Sequence, residues 1–325
     1  MINKLHYYIS NDLNPYNNLA IEKYLLDTVA NDAVILYLWQ NKNTVVIGKN
    51  QNAWAECRTS LLEAESGHLA RRLSGGGAVF HDLGNLNFTF ICSTPNYDLA
   101  RQFEVIRTAC GLAGIKTEIS GRNDILANGR KFSGNAFYNS RGKSYHHGTL
   151  LIAADKERMS RYLTPSKAKL ETKGVKSVKS RVVNLNELSP ELSCEQMTKY
   201  MLFAFENVYE HKAEPIIISN TEPVCALAEQ YGSREYLYGS SIPFSFSCEK
   251  RFDWGNIEIL LQVKNGVIQA VKVHSDSMDW QVAELIETAL SGKFFELQTL
   301  KNSINEVLVS PVSNDICKLL EEQEI

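Results

Sequence analysis

Two arginines, three glycines and a short apolar run stand together in Arg71-Arg72-Leu73-Ser74-Gly75-Gly76-Gly77-Ala78-Val79-Phe80-His81-Asp82. Glycine loses the most backbone entropy on ordering, so three in strand-like sequence cost stability. They make sense where backbone must pass close to something else, such as a ligand. Bare main-chain N–H groups beside guanidinium groups suit an oxygen-rich anion, by charge and hydrogen bonding together. The stretch is a candidate phosphate or carboxylate site. A tight bend with buried apolar residues is the simpler reading.

A second group lies at Gly121-Arg122-Asn123-Asp124 and Gly129-Arg130-Lys131-Phe132-Ser133-Gly134-Asn135-Ala136. Asn128-Gly129 between strand-like runs is a strong hairpin signal and sets Asp124 and Lys131 on neighbouring strands. The two-residue period of a strand places Lys131, Ser133 and Asn135 on one face. Such a face could hold a carboxylate, a phosphate and a divalent ion, and its oxygen ligands suit Mg²⁺. A solvated face with a cross-strand ion pair explains the same residues. His146 and His147 are adjacent in strand-like sequence, so they point to opposite faces and cannot share one metal; one faces a site and the other packs.

Other signals exclude more than they assign. Gly142-Lys143-Ser144 lacks the glycine that a Walker A loop needs five residues earlier, where Phe137 stands. Phe80 occupies the place of the third glycine of a dinucleotide fingerprint. No Ser-His-Asp or Cys-His nucleophile follows from spacing. Lys167, Lys169, Lys173, Lys176, Lys179 and Arg181 face one acid, Glu171, in a segment without a sustained apolar face. This is a loop, either a solvated charge run or a segment that folds over phosphates and excludes water.

The elements that must position these residues are readable from periodicity. Strands are expected at Leu5 to Ile9, Val34 to Trp39, Thr44 to Gly48, Leu86 to Ile91, Asn123 to Ala127, Arg130 to Tyr138 and Ser144 to Ile152. Gln40-Asn41-Lys42-Asn43 is a polar turn joining the second and third of these. Helices are expected after Asn14-Pro15, around Phe103 to Ala113, from Cys194 to Tyr209 and near Val224 to Tyr231. The middle of the chain thus reads as antiparallel hairpins covered by helices. Beyond about residue 246 come a hairpin on Asn265-Gly266, an amphipathic helix at Val282, Leu285, Ile286 and Ala289, and two further helical segments. This gives two domains, 1–246 and 247–325, as a length of 325 residues already suggests: one core rarely grows that large.

Composition narrows the partners. With 44% hydrophobic and 22% charged residues and a net charge of −3, the chain is ordinary globular sequence, and nucleic acid is not its main partner. No apolar run approaches the roughly 18–20 residues of a spanning helix, so no membrane is expected. Seven cysteines, an odd number without a Cys-x-x-Cys pair, indicate neither zinc nor a disulfide framework. A reduced, cytoplasmic protein is the expectation.

The motifs together resemble one family. Arg71-Arg72-x-Ser74-Gly75-Gly76-Gly77-Ala78-Val79-Phe80-His81-Asp82-x-Gly84-Asn85-x-Asn87-Phe88-Thr89-Phe90 is similar to the signature of lipoate–protein ligases. So are Gly121-Arg122-Asn123-Asp124, Gly129-Arg130-Lys131-x-Ser133-Gly134-Asn135-Ala136 and His146-His147-Gly148-Thr149-Leu150-Leu151. The segments from Val45 to Cys57 and from Lys173 to Leu185 share the likeness. Phe132 departs from it, standing where many members carry a smaller aliphatic residue.

The resemblance implies an α+β fold. A large mixed and antiparallel sheet of the biotin and lipoate ligase type would carry flanking helices, followed by a small α+β accessory domain. It implies that ATP and Mg²⁺ activate lipoate to lipoyl-AMP. The lipoyl group would then pass to a lysine of lipoyl domains in 2-oxoacid dehydrogenase complexes or of glycine-cleavage H protein. Lys131 and Asp124 would be catalytic, with Asp124 the candidate for Mg²⁺ or for the incoming amine. Arg72, Gly76, Gly77, Ala78, Val79, Phe80, Asn123, Lys131, Lys173, Lys179 and Arg181 would contact ATP or the adenylate. Lys131, Arg71, Ser74, His81, His147 and Gly148 would serve the lipoyl group. A lipoyltransferase that takes pre-made lipoyl-AMP or an acyl-carrier donor is the alternative.

Overall fold

A computed structural model describes residues 2–121, 123–164, 182–218, 221–239 and 244–323. The chain forms two compact units. The first comprises Met1–Val46, Cys57–Ala70 and Val79–Ser233. The second comprises Ile47–Glu56, Arg71–Ala78 and Arg234–Ile325.

Described strands, in chain order, are β1 (Lys4–Ile9), β2 (Ala33–Trp39), β3 (Thr44–Ile47), β4 (His68–Arg71), β5 (Val79–His81), β6 (Asn85–Ser93) and β7 (Glu118–Ser120). They continue with β8 (Asp124–Ala127), β9 (Arg130–Ser140), β10 (Lys143–Leu151), β11 (Ala213–Pro215), β12 (Phe246–Phe252), β13 (Gly255–Lys264) and β14 (Val267–Ser275). An eight-stranded sheet of order β11-β1-β2-β6-β10-β9-β8-β7 frames the first unit. β1 runs parallel to β11 and β2, and the other pairs are antiparallel, so the sheet is mixed as expected.

β6 explains how that sheet divides its faces. All nine of its residues are buried, yet they alternate in kind, as strand geometry requires when the two faces differ. Leu86, Phe88, Phe90 and Cys92 enter a core with Val105, Ile106 and Ala109 of the helix Leu99–Leu112. Met197, Met201 and Phe205 of the helix Cys194–Tyr209 close the same core. Asn85, Asn87 and Thr89 line the opposite face, where Thr89 bonds Glu22 of the helix Pro15–Thr28. Asn14 starts that helix by accepting the Tyr16 N–H, with Pro15 in the first turn, where its missing N–H costs nothing.

β2 and β3 do not pair across the turn at Gln40 to Asn43. β2 is flanked by β1 and β6 on its two edges, so no edge remains, and β3 lies in a separate sheet of order β4-β3-β5. In the second unit, β12, β13 and β14 form an antiparallel sheet. The helices Gln281–Leu290, Leu297–Val307 and Val312–Glu321 bury Ile286, Ile304 and Ile316 against its Ile257, Ile259 and Leu261.

Candidate active site

In the first unit the site begins at the β8–β9 hairpin. Asn128 and Gly129 make its turn with φ of 50° and 69°, the geometry that Asn-Gly tolerates best. A bulge then interrupts the ladder: Ile125 opposes Ser133, but Leu126 opposes Lys131, leaving Phe132 as the extra residue. Phe132 is fully buried in the core. Opposed residues share a face, so the bulge puts Lys131 with Leu126, Asp124 and Gly134. Ser133 and Asn135 turn to the other side. The expected shared face of Lys131, Ser133 and Asn135 is therefore corrected, because a strict two-residue period fails across a bulge.

The same correction makes the pair at the centre of the site. Lys131 Nζ lies 2.6 Å from Asp124 Oδ1, each side chain about a third exposed. A Cβ on Gly134 would stand 3.0 Å from Lys131 Nζ and 3.1 Å from its Cε. Glycine is needed there to leave room for the amine. The Lys131 carbonyl accepts the Val183 N–H at 2.9 Å, which anchors the strand from behind.

β10 sends its two histidines to opposite faces, as expected. His146 is wholly buried among Phe88, Phe90, Phe103 and Phe137. Burial holds its pKa well below the ordinary histidine value, with His147 acting in the same direction. His147 places Nδ1 2.8 Å from Glu22 Oε1, and that oxygen also accepts the Thr89 hydroxyl at 2.8 Å. Trp39 Nε1 donates to Thr89 Oγ1 at 3.2 Å. The Trp39 ring meets His81 edge-on, and His81 Nδ1 lies 3.2 Å from Asn41 Nδ2. His81 and His147 thus belong to one buried polar network with Trp39, Thr89 and Glu22. Gly148 follows in β10, opposite Asn135 and Phe88.

Sequence reasoning did not single out Glu22 or Trp39. The signal was present: Asn18 and Glu22 interrupt the buried stripe of Leu19, Leu25 and Leu26 on one helix. A buried carboxylate is tolerable only with donors around it.

In the second unit the glycine stretch is folded around its own arginine. Arg72 Nε donates to Ser74 Oγ at 3.1 Å and to the Gly75 carbonyl at 3.2 Å. Its Nη2 donates to the Gly75 and Gly77 carbonyls at 2.6 and 2.9 Å. The N–H of Gly76 is not bare, since it donates to the Ser277 carbonyl at 2.9 Å. A Cβ on Gly75 would lie 2.2 Å from that oxygen and 2.7 Å from the Met278 carbonyl oxygen. At Gly75, then, what the backbone passes close to is the chain's own main chain. Arg71 spends its donors on the carbonyls of Gly48, Lys49, Gln51, Tyr236 and Leu237. Burial pushes its pKa down to about 10. Its guanidinium clamps its own unit together.

Val79, Phe80 and His81 form β5 in the first unit, opposite Val46, Val45 and Thr44. Phe80 is buried against the Tyr162 ring. Ala78 ends the glycine stretch in the second unit. Asn123 exchanges hydrogen bonds with Asn135 immediately before Asp124. Lys173, Lys179 and Arg181 lie outside the described residues. Among the described residues, no three His, Cys, Asp or Glu side chains cluster as a metal cage, and no helix is long and apolar enough to cross a membrane. All seven cysteines are free thiols.

Comparison with known proteins shows the family to which the chain belongs. Residues 14–206 match the lipoyl protein ligase A/B catalytic domain, and residues 241–320 match the bacterial lipoate protein ligase C-terminus. Lipoate-protein ligase A of Bdellovibrio bacteriovorus is 38% identical, covering 98% of this chain and 99% of its own. Lipoate-protein ligase A of Blochmanniella pennsylvanica is 40% identical over 87% of each. Among solved structures, P. falciparum LipL1 in complex with lipoate superposes with a TM-score of 0.87 at 27% identity, covering 98% of this chain and 100% of that one.

Proposed function

Because the chain belongs to the lipoate–protein ligase family and is a ligase, we propose that it activates lipoate with ATP and transfers the lipoyl group to a lysine of lipoyl domains or of H protein. The observation that carries this reading is the Lys131–Asp124 pair, an amine held by a carboxylate with a glycine beside it. In the first step a lipoate carboxylate oxygen attacks the α-phosphorus of ATP. The bond to pyrophosphate breaks and lipoyl-AMP forms. Two anions must meet, so a cation is needed where charge accumulates; Lys131 supplies one. In the second step the neutral acceptor amine attacks the lipoyl carbonyl, the C–O bond to AMP breaks with AMP as leaving group, and the proton lost from the amine nitrogen passes to water. Lys131 stabilises the oxyanion, and Asp124 receives the incoming amine.

Arg72, Gly76, Gly77, Ala78, Val79, Phe80 and Asn123 serve the nucleotide in this reading. So do Lys173, Lys179 and Arg181. Ser74, His81, His147 and Gly148 serve the lipoyl group. Asp124 is the residue that would hold Mg²⁺, which would supply neutralisation of phosphate charge; a single carboxylate beside a nucleotide suits that ion. Residues 1–246 carry the chemistry and 247–325 assist it, in the cytoplasm.

Incubation with ATP, Mg²⁺, lipoate and an unmodified lipoyl domain should give a lipoylated domain and pyrophosphate. An unmodified domain, beside a working control ligase, defeats the reading. A lipoylated domain obtained only from pre-made lipoyl-AMP, with no pyrophosphate from free lipoate, identifies a transferase instead.

A further inference from the structure

His146 has no place in the chemistry above, yet it is the hub of a buried polar chain. Its Nε2 lies 2.9 Å from Asn135 Oδ1, and its Nδ1 lies 3.1 Å from Gln102 Oε1. Both ring nitrogens thus face oxygens, which only an imidazolium could satisfy. Four phenylalanine rings surround it, and burial opposes that charge. One of the two amides must therefore present its nitrogen. Asn135 is fixed, because its Nδ2 donates to the Asn123 carbonyl at 3.0 Å. Gln102 is not: besides His146 its amide meets the Tyr209 hydroxyl, a group that can donate as well as accept. Turning that amide gives the Nδ1 lone pair a donor and presents Oε1 to the neighbouring Tyr209 hydroxyl, which can donate to it. Amide orientation and tautomer are assigned in this way, from the network. The result is a neutral ring with its proton on Nε2, donating to Asn135.

The chain then runs to the site. Asn135 holds Asn123 three ways: its N–H and Nδ2 both reach the Asn123 carbonyl, at 2.9 and 3.0 Å, and its carbonyl accepts from Asn123 Nδ2 at 3.1 Å. Asn123 is joined by one peptide bond to Asp124, whose carboxylate holds Lys131. We infer that His146 is a positioning residue, its Nε2–H fixing Asn135 and through it the Asn123–Asp124 main chain that aims Lys131. The inference rests on the activity proposed above.

Two measurements test it. In protein labelled with ¹⁵N-histidine, two-bond ¹H–¹⁵N correlations should give His146 a protonated Nε2 and a bare Nδ1, the signal being assigned by its loss in His146→Gln. An Nδ1–H tautomer or an imidazolium overturns the proposal, and this reading needs no variant to be active. In kinetics, His146→Phe keeps the aromatic packing and removes the donor, while His146→Gln keeps a donor near the Nε2 position. Far below its unfolding temperature and fully folded, His146→Phe should lose about 10²-fold in kcat for pyrophosphate release, the scale of a small misplacement of a catalytic group. His146→Gln should retain most of the rate. Wild-type kcat in folded His146→Phe, or equal losses in both variants, overturns it. If His146→Phe does not fold, a His146→Gln variant that folds but loses the rate overturns it alone. A wild-type protein that makes no lipoyl-AMP defeats the proposed activity instead, and the tautomer is still read.

Discussion

The amine of Lys131 sits 2.6 Å from the carboxylate of Asp124 across a strand pair that a bulge at Phe132 has re-registered. Both side chains keep about a third of their surface open to solvent. Such a pair adds less than about 1 kcal/mol to stability, because water screens it and both side chains lose freedom. Its worth lies in chemistry. Lys131→Ala should melt within a few degrees of wild type yet lose about 10²- to 10³-fold or more in adenylate formation, the scale of removing one group that meets developing charge. Thermal unfolding beside a pyrophosphate assay separates the two effects, and unchanged activity would end the assignment.

Gly134 offers a gentler perturbation of the same amine. A methyl group there would meet the far end of a flexible side chain, not backbone. Gly134→Ala should therefore fold normally and push Lys131 aside, lowering adenylate formation by about tenfold. A loss of stability without a change in rate would mean that the glycine serves packing alone.

Gly75 behaves differently because its neighbours are carbonyl oxygens of Ser277 and Met278, which cannot swing away. Gly75→Ala should cost about 1–3 kcal/mol through overpacking. Gly111, at the end of the helix Leu99–Leu112, would have nothing within 4 Å of an added methyl group. Gly111→Ala should stabilise by about 0.5 kcal/mol, since alanine is the better helix former. Denaturant unfolding of the two variants should give opposite signs.

These contrasts mark what the sequence could reveal. Local rules sufficed for the helix Cys194–Tyr209, found with the expected ends, and for the turns at Asn128-Gly129 and Asn265-Gly266. The partnership of Asp124 with Lys131 was readable from the hairpin, whereas the mixed sheet followed only from the family resemblance. The bulge was not, because two-against-one pairing depends on the register of β8, which no period within β9 encodes. The contact at Gly75 was not, because its partner lies some two hundred positions along the chain. Glu22 was hidden in an otherwise amphipathic helix, its reason for burial being donors on β6 and β10.

Glu22 and His147 are both nearly inaccessible, so their contact has no solvent to fall back on. His147→Leu should cost about 3 kcal/mol by leaving the carboxylate short of a donor. Adding Glu22→Leu should restore part of that loss, since removing both partners leaves no orphan. A double-mutant cycle by urea unfolding should return a coupling above about 1 kcal/mol; strictly additive losses would show that the two groups do not depend on each other.

His274 gives the second unit a dependence on pH. Burial, then the charges of Lys272 and Arg71, lower its pKa to about 4, while a bond with the Asn50 main chain opposes them. The unfolded chain titrates near the ordinary value of about 6.5. Between those values the unfolded state binds the proton and the folded state does not, so stability falls as pH falls. The contribution is complete above about pH 6.5 and is lost towards pH 4, with a ceiling of about 3.5 kcal/mol at about 1.4 kcal/mol per unit. His146, whose pKa is also held down by burial, acts with the same sign. His274→Gln should therefore flatten the acid side of the stability profile without abolishing its slope. Unfolding free energies at pH 7 and pH 4.5 decide it: wild type should lose more than the variant, and equal losses would remove His274 from the account.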